Sequence, residues 1–333
     1  MEARLDMERF SIRFSLKFFF LVTLFFSLAS SPWAQLEGFS QSENDKFLIP
    51  EQRIAPGEEE SLTPEQRIAS EEESLTSGQK IPSEEKESLT RGQKTLLLNA
   101  GSMVGISIYG LTKWEYGESS FHFYNEGWFE RKTKDGGADK LGHFWSCYAL
   151  SHLYSYVYRK WGYTDKEANL YGALSSLGAN LFMELADGFS PSQGFSYEDM
   201  IMNIVGCGVG YVWGKSPSLA SKIDFRTEYT PQFTSRDIWV FNNYDRHKFL
   251  IALKADGFNF IKNPYLRYLE FHVGYYARGY EGYEQGGPDD RRRNIHIGLG
   301  FNVSKLAQKF VNTRVLDYIQ IPYTSVNKGF KLD

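Results

Sequence analysis

The sequence predicts an α+β protein: an antiparallel four-helix bundle, then a small antiparallel β-sheet region, preceded by a disordered acidic repeat. Three observations carry this. Between residues 94 and 214, apolar residues recur at helical spacing between capping signals. After residue 216 the spacing changes to period 2. Before residue 94, a glutamate-rich motif repeats every 13 to 14 residues. The chain has 333 residues, room for one or two domains, and is 42% hydrophobic, enough for a sizeable core. Its formal net charge of −4 supplies no basic field, so nucleic acid is not an expected partner.

These shifts divide the chain into segments 1–34, 35–94, 95–216 and 217–333. The first reads as a signal peptide. Arg4, Arg9, Arg13 and Lys17 precede an apolar core from Phe18 to Leu28, and small residues follow, with cleavage after Ser31 or Ala34. It carries no cysteine, so a lipid anchor on it is not expected; an uncleaved membrane anchor is the alternative. In the second segment, Pro50-Glu51-Gln52-Arg53-Ile54-Ala55 returns as Pro64-Glu65-Gln66-Arg67-Ile68-Ala69, and a degraded third copy runs from Ser77 to Thr90. Each unit sets one Ile and one Leu against several Glu. That buries too little apolar surface to offset chain entropy, so the expectation is a disordered, self-repelling spacer.

The first helix is expected over Leu96–Leu111, followed by a connector ending at the breaker Gly136-Gly137. The second runs from Asp139 to Lys160, with Arg159 and Lys160 in its last turn. The third runs from the capping box Thr164-Asp165-Lys166-Glu167 to Asp187, with Gly188 as its C-cap. The fourth opens on the box-like Ser196-Tyr197-Glu198-Asp199 and ends near Gly214. Short connections make these helices antiparallel neighbours. One end of the bundle then collects Asp139, His143, Glu184, Asp187, Asp199 and Asn203. Asp139 and His143 are four apart, Glu184 and Asp187 three, Asp199 and Asn203 four, so each pair shares a helix face. Gly206 lies one turn further on, where helices can approach closely. Cys147 and Cys207 read as small core residues and match no metal or redox spacing.

The uncharged helical runs are about 14 to 18 residues, at or below the roughly 17–25 that span a bilayer. The basic end of the bundle would also lie on the unfavoured side. The expectation is a bundle beside a membrane, with an embedded bundle as the alternative.

In the last segment, Leu269, Phe271, Val273 and Tyr275 alternate with Glu270, His272 and Gly274, and Ile295, Ile297, Leu299, Phe301 and Val303 alternate with Asn294, His296, Gly298, Gly300 and Asn302. Both read as strands with one buried face, joined by a loop tip at 285–293. Further strands are expected at Ile223–Tyr229, Phe249–Lys254 and Thr324–Leu332, and a helix at Ser304–Tyr318. Glycine alternating with aromatics suits outer-membrane strands, but such a barrel needs at least eight and about five are legible.

The polar motif residues resemble the YfiM-like family of predicted periplasmic lipoproteins, in its longer form with a β-rich C-terminal extension. The resemblance rests on Asp139-Lys140-x-x-His143, Glu184-x-x-Asp187-Gly188-Phe189-Ser190, Gly194-Phe195-Ser196-x-x-Asp199 and Asn203-x-x-Gly206, more weakly on Phe121-His122-Phe123, Tyr171-Gly172-Ala173-Leu174-Ser175 and Ile319-Gln320-Ile321-Pro322. A more distant resemblance is to VanZ-like membrane proteins, in the order Asp-Lys-His, Glu, Asp, Asn, Gly. It implies a place in the cell envelope and no particular reaction.

The functional expectation is a cell-envelope scaffold or binding module with a buried polar cluster, periplasmic or associated with the outer membrane. Its partner would be a membrane surface or an envelope component; the oligomeric state is open. The cluster is His143, Glu184, Asp187, Asp199, Asn203, Asp139 and Lys140, with Lys140 able to pair with Glu184 and Asp187. Two alternatives stand beside it. One is a membrane-surface hydrolase, in which His143, Glu184 and Asp199 hold a divalent metal or a His–carboxylate pair does acid–base work. The other is a membrane-embedded lipid-handling protein. No cofactor-binding motif is present.

Overall fold

A computed structural model of the chain describes residues 89–230, 243–280, 290–310 and 313–333. The expected signal peptide and acidic spacer lie outside these residues. Two compact units are distinguished, Met1–Lys94 and Thr95–Asp333. Of the first, residues 89–94 are described, and there Thr90 and Gln93 exchange side-chain and backbone hydrogen bonds as a capping box. This cap starts helix α1 at Arg91–Lys113, five residues before the expected start.

Three helices form the body of the bundle: α2 (Ala138–Lys160), α3 (Asp165–Asp187) and α4 (Tyr197–Lys215). The Thr164–Glu167 box caps α3 as its sequence predicts. Gly188 does end α3, but with right-handed φ −55°. Its lack of a side chain is needed for space, because a Cβ there would overlap the Phe121 ring. Helix α1 joins the others through polar rungs: Thr95 to Tyr163 (3.0 Å), Asn99 to Tyr158 (3.0 Å) and Ser102 to Tyr154 (2.6 Å).

Small residues set the distances between helices. A Cβ on Gly172 would stand 2.6 Å from the Ser151 carbonyl oxygen, and one on Gly206 would overlap the Phe144 carbonyl and reach 2.9 Å from the Cys147 Cβ. Both cysteines are buried and free. Gly208, two residues on, has nothing within 4 Å of its would-be Cβ. Gly206→Ala should therefore force α2 and α4 apart and cost about 1–3 kcal/mol. Gly208→Ala should instead gain up to about 1 kcal/mol from helix propensity. Denaturant melts of the two variants check the contrast, and equal effects would remove the close-packing account.

After a short helix, α5 (Pro217–Ala220), six strands form one sheet: β1 (Ile223–Tyr229), β2 (His247–Lys254), β3 (Leu269–Arg278), β4 (Arg292–Phe301), β5 (Ile319–Gln320) and β6 (Ser325–Lys331), in the order β5-β1-β2-β3-β4-β6. Every pair is antiparallel except β1–β5, which is parallel, so the sheet is mixed rather than purely antiparallel. The helix expected over Ser304–Tyr318 is replaced by α6 (Val303–Ala307) and a single 3-10 turn at Val315–Asp317. Of the loop tip expected at 285–293, residues 285–289 lie outside the described residues, and β4 begins inside it, at Arg292. β5 and β6 are the two edges, yet only four residues, 321–324, join them. Five residue steps reach at most about 18 Å, whereas the edges of a flat six-stranded sheet lie about 24 Å apart. The sheet is therefore curled.

β3 and β4 do have one buried face each, and it is the polar one; β1 and β5 add to it, while β6 is open along its length. Asp224, Arg226, Glu228, Glu270, His272, Asn294, His296 and Gln320 are buried. Arg226 donates to Asp224 (2.6 Å), Glu270 (2.8 Å) and Gln320 (3.0 Å), and Lys254 donates to Asp224 (2.6 Å). Glycines on this face make room for the histidines: a Cβ on Gly274 would stand 2.8 Å from His296 Nε2, and one on Gly300 2.7 Å from His272 Nε2. The opposite face carries Phe225, Phe249, Ile251, Phe271, Val273, Tyr275, Ile295, Ile297 and Leu299 in cross-strand register. Part of it packs on the bundle, where Ala138, Leu141 and Trp145 meet Phe249, Tyr275 and Tyr280, and Phe225 meets Phe144, Tyr148 and Trp213. Phe271, Leu299, Phe301 and Val326 remain exposed.

Candidate functional site

The acidic end of the bundle assembles as helix direction predicts. Asp139, Lys140 and His143 come from the first turns of α2, Glu184 and Asp187 from the last turn of α3, and Asp199 and Asn203 from the start of α4. Ser196 caps α4 by accepting from the Asp199 amide (3.2 Å). The Asp199 carboxylate does not close a capping box. It turns inward to Lys140.

Lys140 is fully buried and donates to Asp139 (2.6 Å), to Asp199 (2.8 Å) and to Glu126. The pairing expected with Glu184 and Asp187 is not formed. Glu184 faces His143 instead, and Asp187 accepts from the Tyr116 hydroxyl (2.7 Å). His143 Nδ1 lies 3.2 Å from Asn203 Oδ1 and 3.5 Å from Glu184 Oε1, and Nε2 lies 3.7 Å from Asp199 Oδ1. His143 is the most open of the three, with 14% of its side chain exposed, against 2% for Glu184 and 5% for Asp199. One ligand atom from each of His143, Glu184 and Asp199 lies within 4.8 Å of the others, and the same holds for Glu126, Asp139 and Asp199.

Four members of the cluster carry no signal in the sequence. Glu126 and Asp135 come from the connector before α2, Tyr116 from the turn that follows α1, and Tyr244 from the β1–β2 connector. The connector is fixed because His122 and Tyr124 bond across to Gly188 and Phe195, while Phe121, Phe123, Phe189 and Phe195 stack together. That strip, flagged by its aromatics, delivers Glu126. Tyr244 lies over Gly142, where a Cβ would stand 2.6 Å from its ring.

Charge in this pocket is unbalanced. Glu126, Asp135, Asp139, Glu184, Asp187 and Asp199 interact with one another, against Lys140 and His143 inside and Lys134 near the rim. Burial, then the charges of Asp199, Asp187 and Glu126, pushes Glu184 well above the ordinary carboxylate value. Burial also raises Asp139 well above it, Asp187 to about 7 and Asp135 to about 6. Glu126 goes the other way. Burial alone would raise it, but the hydrogen bond with Asp199 and the Lys140 charge bring it down to about 2, while Asp199 is raised. Burial would lower Lys140, but Asp139, Asp199 and Glu126 hold it charged, above the ordinary lysine value. Within the cluster, Glu184 Oε1 and Asn203 Nδ2 are buried with no hydrogen-bond partner.

A family model described as a predicted periplasmic lipoprotein (DUF2279) matches residues 125–215. The match takes in every cluster residue except Tyr116 and Tyr244, and over it the chain is similar to an envelope family of unknown function. Comparison with curated proteins and with solved structures finds no match.

Proposed function

We propose that this chain is a cell-envelope binding protein whose bundle end takes up a divalent cation through His143, Glu184 and Asp199. The observation that carries the reading is Glu184 Oε1. It is buried, has no donor, and faces His143 at 3.5 Å inside a group of uncompensated carboxylates. A purely structural network needs each buried polar atom satisfied, and here one carboxylate oxygen is not. One imidazole and two carboxylates suit a first-row divalent ion. Asn203 Oδ1, 3.2 Å from His143 Nδ1, is a second partner of the kind that orients a ligating histidine. The Lys140 ammonium already sits among the second set, Glu126, Asp139 and Asp199, so one cation is expected rather than two. An envelope address is supported by the family description over residues 125–215 and by the order of charges and apolar residues in the first 34. Hydrolysis at a membrane surface is the second reading. Asp187, held up to about 7, would be a proton donor or acceptor beside the cation.

The test is metal analysis of full-length protein purified without chelator, with thermal melts before and after chelation. About one equivalent of a divalent ion is expected, with a fall in Tm on chelation that add-back reverses. His143→Ala and Glu184→Gln should each lower affinity at least tenfold. A protein that carries no metal, and whose Tm no divalent ion moves, ends the proposal and returns the cluster to a structural role.

A further inference from the structure

We propose that the outward apolar face of the sheet lies in the hydrocarbon of a lipid bilayer, with one rim of the sheet at the headgroup level. This is independent of the cation site and rests on three observations. The first is polarity. In a sheet surrounded by water the apolar face turns inward, and a register shift of one residue would achieve that here. Instead Arg226, Glu270, His272 and His296 are buried, while Leu299 keeps 61% of its surface and Phe271, Val273, Ile297 and Phe301 stay open beside it. A curled sheet with polar residues inside and apolar ones outside has the polarity of membrane strands.

The second observation is length. β3 and β4 have 10 residues each, and about 9–11 tilted residues cross a bilayer core. The third is the rim where β2 and β4 end and β3 begins. Its connectors expose Phe260, Tyr265 (83%) and Phe310 (81%), interleaved with exposed Lys262, Arg267 and Lys309. Aromatic and basic side chains together at one level mark a membrane–water boundary. The apolar face also continues into a cleft of about 460 Å³ against α2 and α4, lined by Leu141, Phe144, Met202, Phe249, Val273 and Ile295. Its lining is almost wholly apolar, which suits lipid chains. Among the described residues α1 is long and apolar enough to cross a membrane, and it exposes Leu96, Val104, Ile108 and Leu111.

The test uses the full chain with single labelling sites, L299C and V326C on the apolar face and K160C on the bundle as control. Each carries an environment-sensitive fluorophore and is mixed with phosphatidylethanolamine–phosphatidylglycerol vesicles. Buried, free Cys147 and Cys207 are replaced by alanine in a matched background, and the circular dichroism melt of each protein verifies folding. Acyl chains brominated along their length should quench L299C and V326C at least fivefold more than K160C, and aqueous iodide should show the reverse preference. Protein and vesicles should co-float. A second, milder variant, Leu299→Asn, should reduce flotation several-fold without moving the melt in detergent. Iodide quenching of both face sites in the presence of vesicles overturns the proposal. So does protection from iodide with no quenching by brominated chains and with L299C–L299C cross-linking, since the occupant would then be a second copy of the chain.

Discussion

Replacing Lys140 with Met is expected to destabilise the metal-free protein by about 3–5 kcal/mol, the usual result of removing one partner from a buried ion pair. The side-chain volume is nearly kept, so the loss is electrostatic. Lys140 is the one cation bonded to Glu126, Asp139 and Asp199 together, and all four groups are buried or nearly so. Without it, three carboxylates face one another across a few ångströms in a poorly solvated site. Their remaining escape is to bind protons, so the loss should be larger at pH 8 than at pH 5. Asp139→Asn in the same chain removes one of the stranded charges and should restore part of the stability, a non-additivity expected of residues in one network. Chemical unfolding of the single and double variants at both pH values measures this. A Lys140→Met protein as stable as the parent at pH 8 would falsify the view that the lysine is an internal counter-ion.

The pH dependence of the metal-free parent is the second large effect. Asp187 titrates near 7 and Asp135 near 6 in the folded protein, against 3.8 for an ordinary aspartate. A carboxyl whose folded value is raised binds its proton more tightly in the folded state. Its stabilisation is complete below the unfolded value and is lost as pH rises through the folded one. For Asp187 alone, the rise from 3.8 to about 7 corresponds to about 4 kcal/mol lost between pH 4 and pH 7, at about 1.36 kcal/mol for each pH unit. Glu126, lowered to about 2, acts oppositely, but only as pH falls from its ordinary value of 4.5. Stability without metal should therefore climb as pH drops from 8 to 5, the reverse of a common acid-labile protein. Asp187→Asn should flatten the curve. A bound cation should flatten it too, because it competes with the protons for the same oxygens. A metal-free stability that falls steadily from pH 8 to 5 would count against raised carboxyls at this end of the bundle.

The helical half of this molecule is legible in the sequence because its signals are local. The Thr164–Glu167 box, the acidic first turns and the spacing of Asp139 to His143, Glu184 to Asp187 and Asp199 to Asn203 each act within one or two turns. Short connections then leave one arrangement of ends, and His143, Glu184 and Asp199 meet there. Glu126 is not legible because nothing in its own stretch marks it. It arrives through bonds between the connector and the Gly188–Phe195 loop, a contact set by tertiary structure. The true partners of Lys140 are hidden for a related reason: helix spacing gives the face of a side chain but not the competitors that reach it from elsewhere. In the sheet, alternation locates β3 and β4 but does not say which face water sees. Period 2 is the same for a sheet that hides its apolar side and for one that hides its charges. The helix expected after Ser304 cannot run on to Tyr318, because residues 318–320 are drawn into pairing with β1, where Gln320 reaches Arg226.

The first two turns of α2, which carry Asp139, Lys140 and His143, are clasped from far along the chain. Tyr275 donates to the Gly136 carbonyl and Tyr280 to that of Arg131 (3.1 Å), while Tyr244 covers Gly142. The Tyr275 bond joins residues 139 positions apart. Contacts of that separation form late, since a long loop must close before they are rewarded. For a chain threaded through a translocation pore from its N-terminus, the helices of the bundle emerge first. They must wait, with their acidic end unfinished, until the third strand of the sheet has followed them out. Such an interval exposes apolar helix faces to other chains, so aggregation during refolding should fall once the sheet has formed.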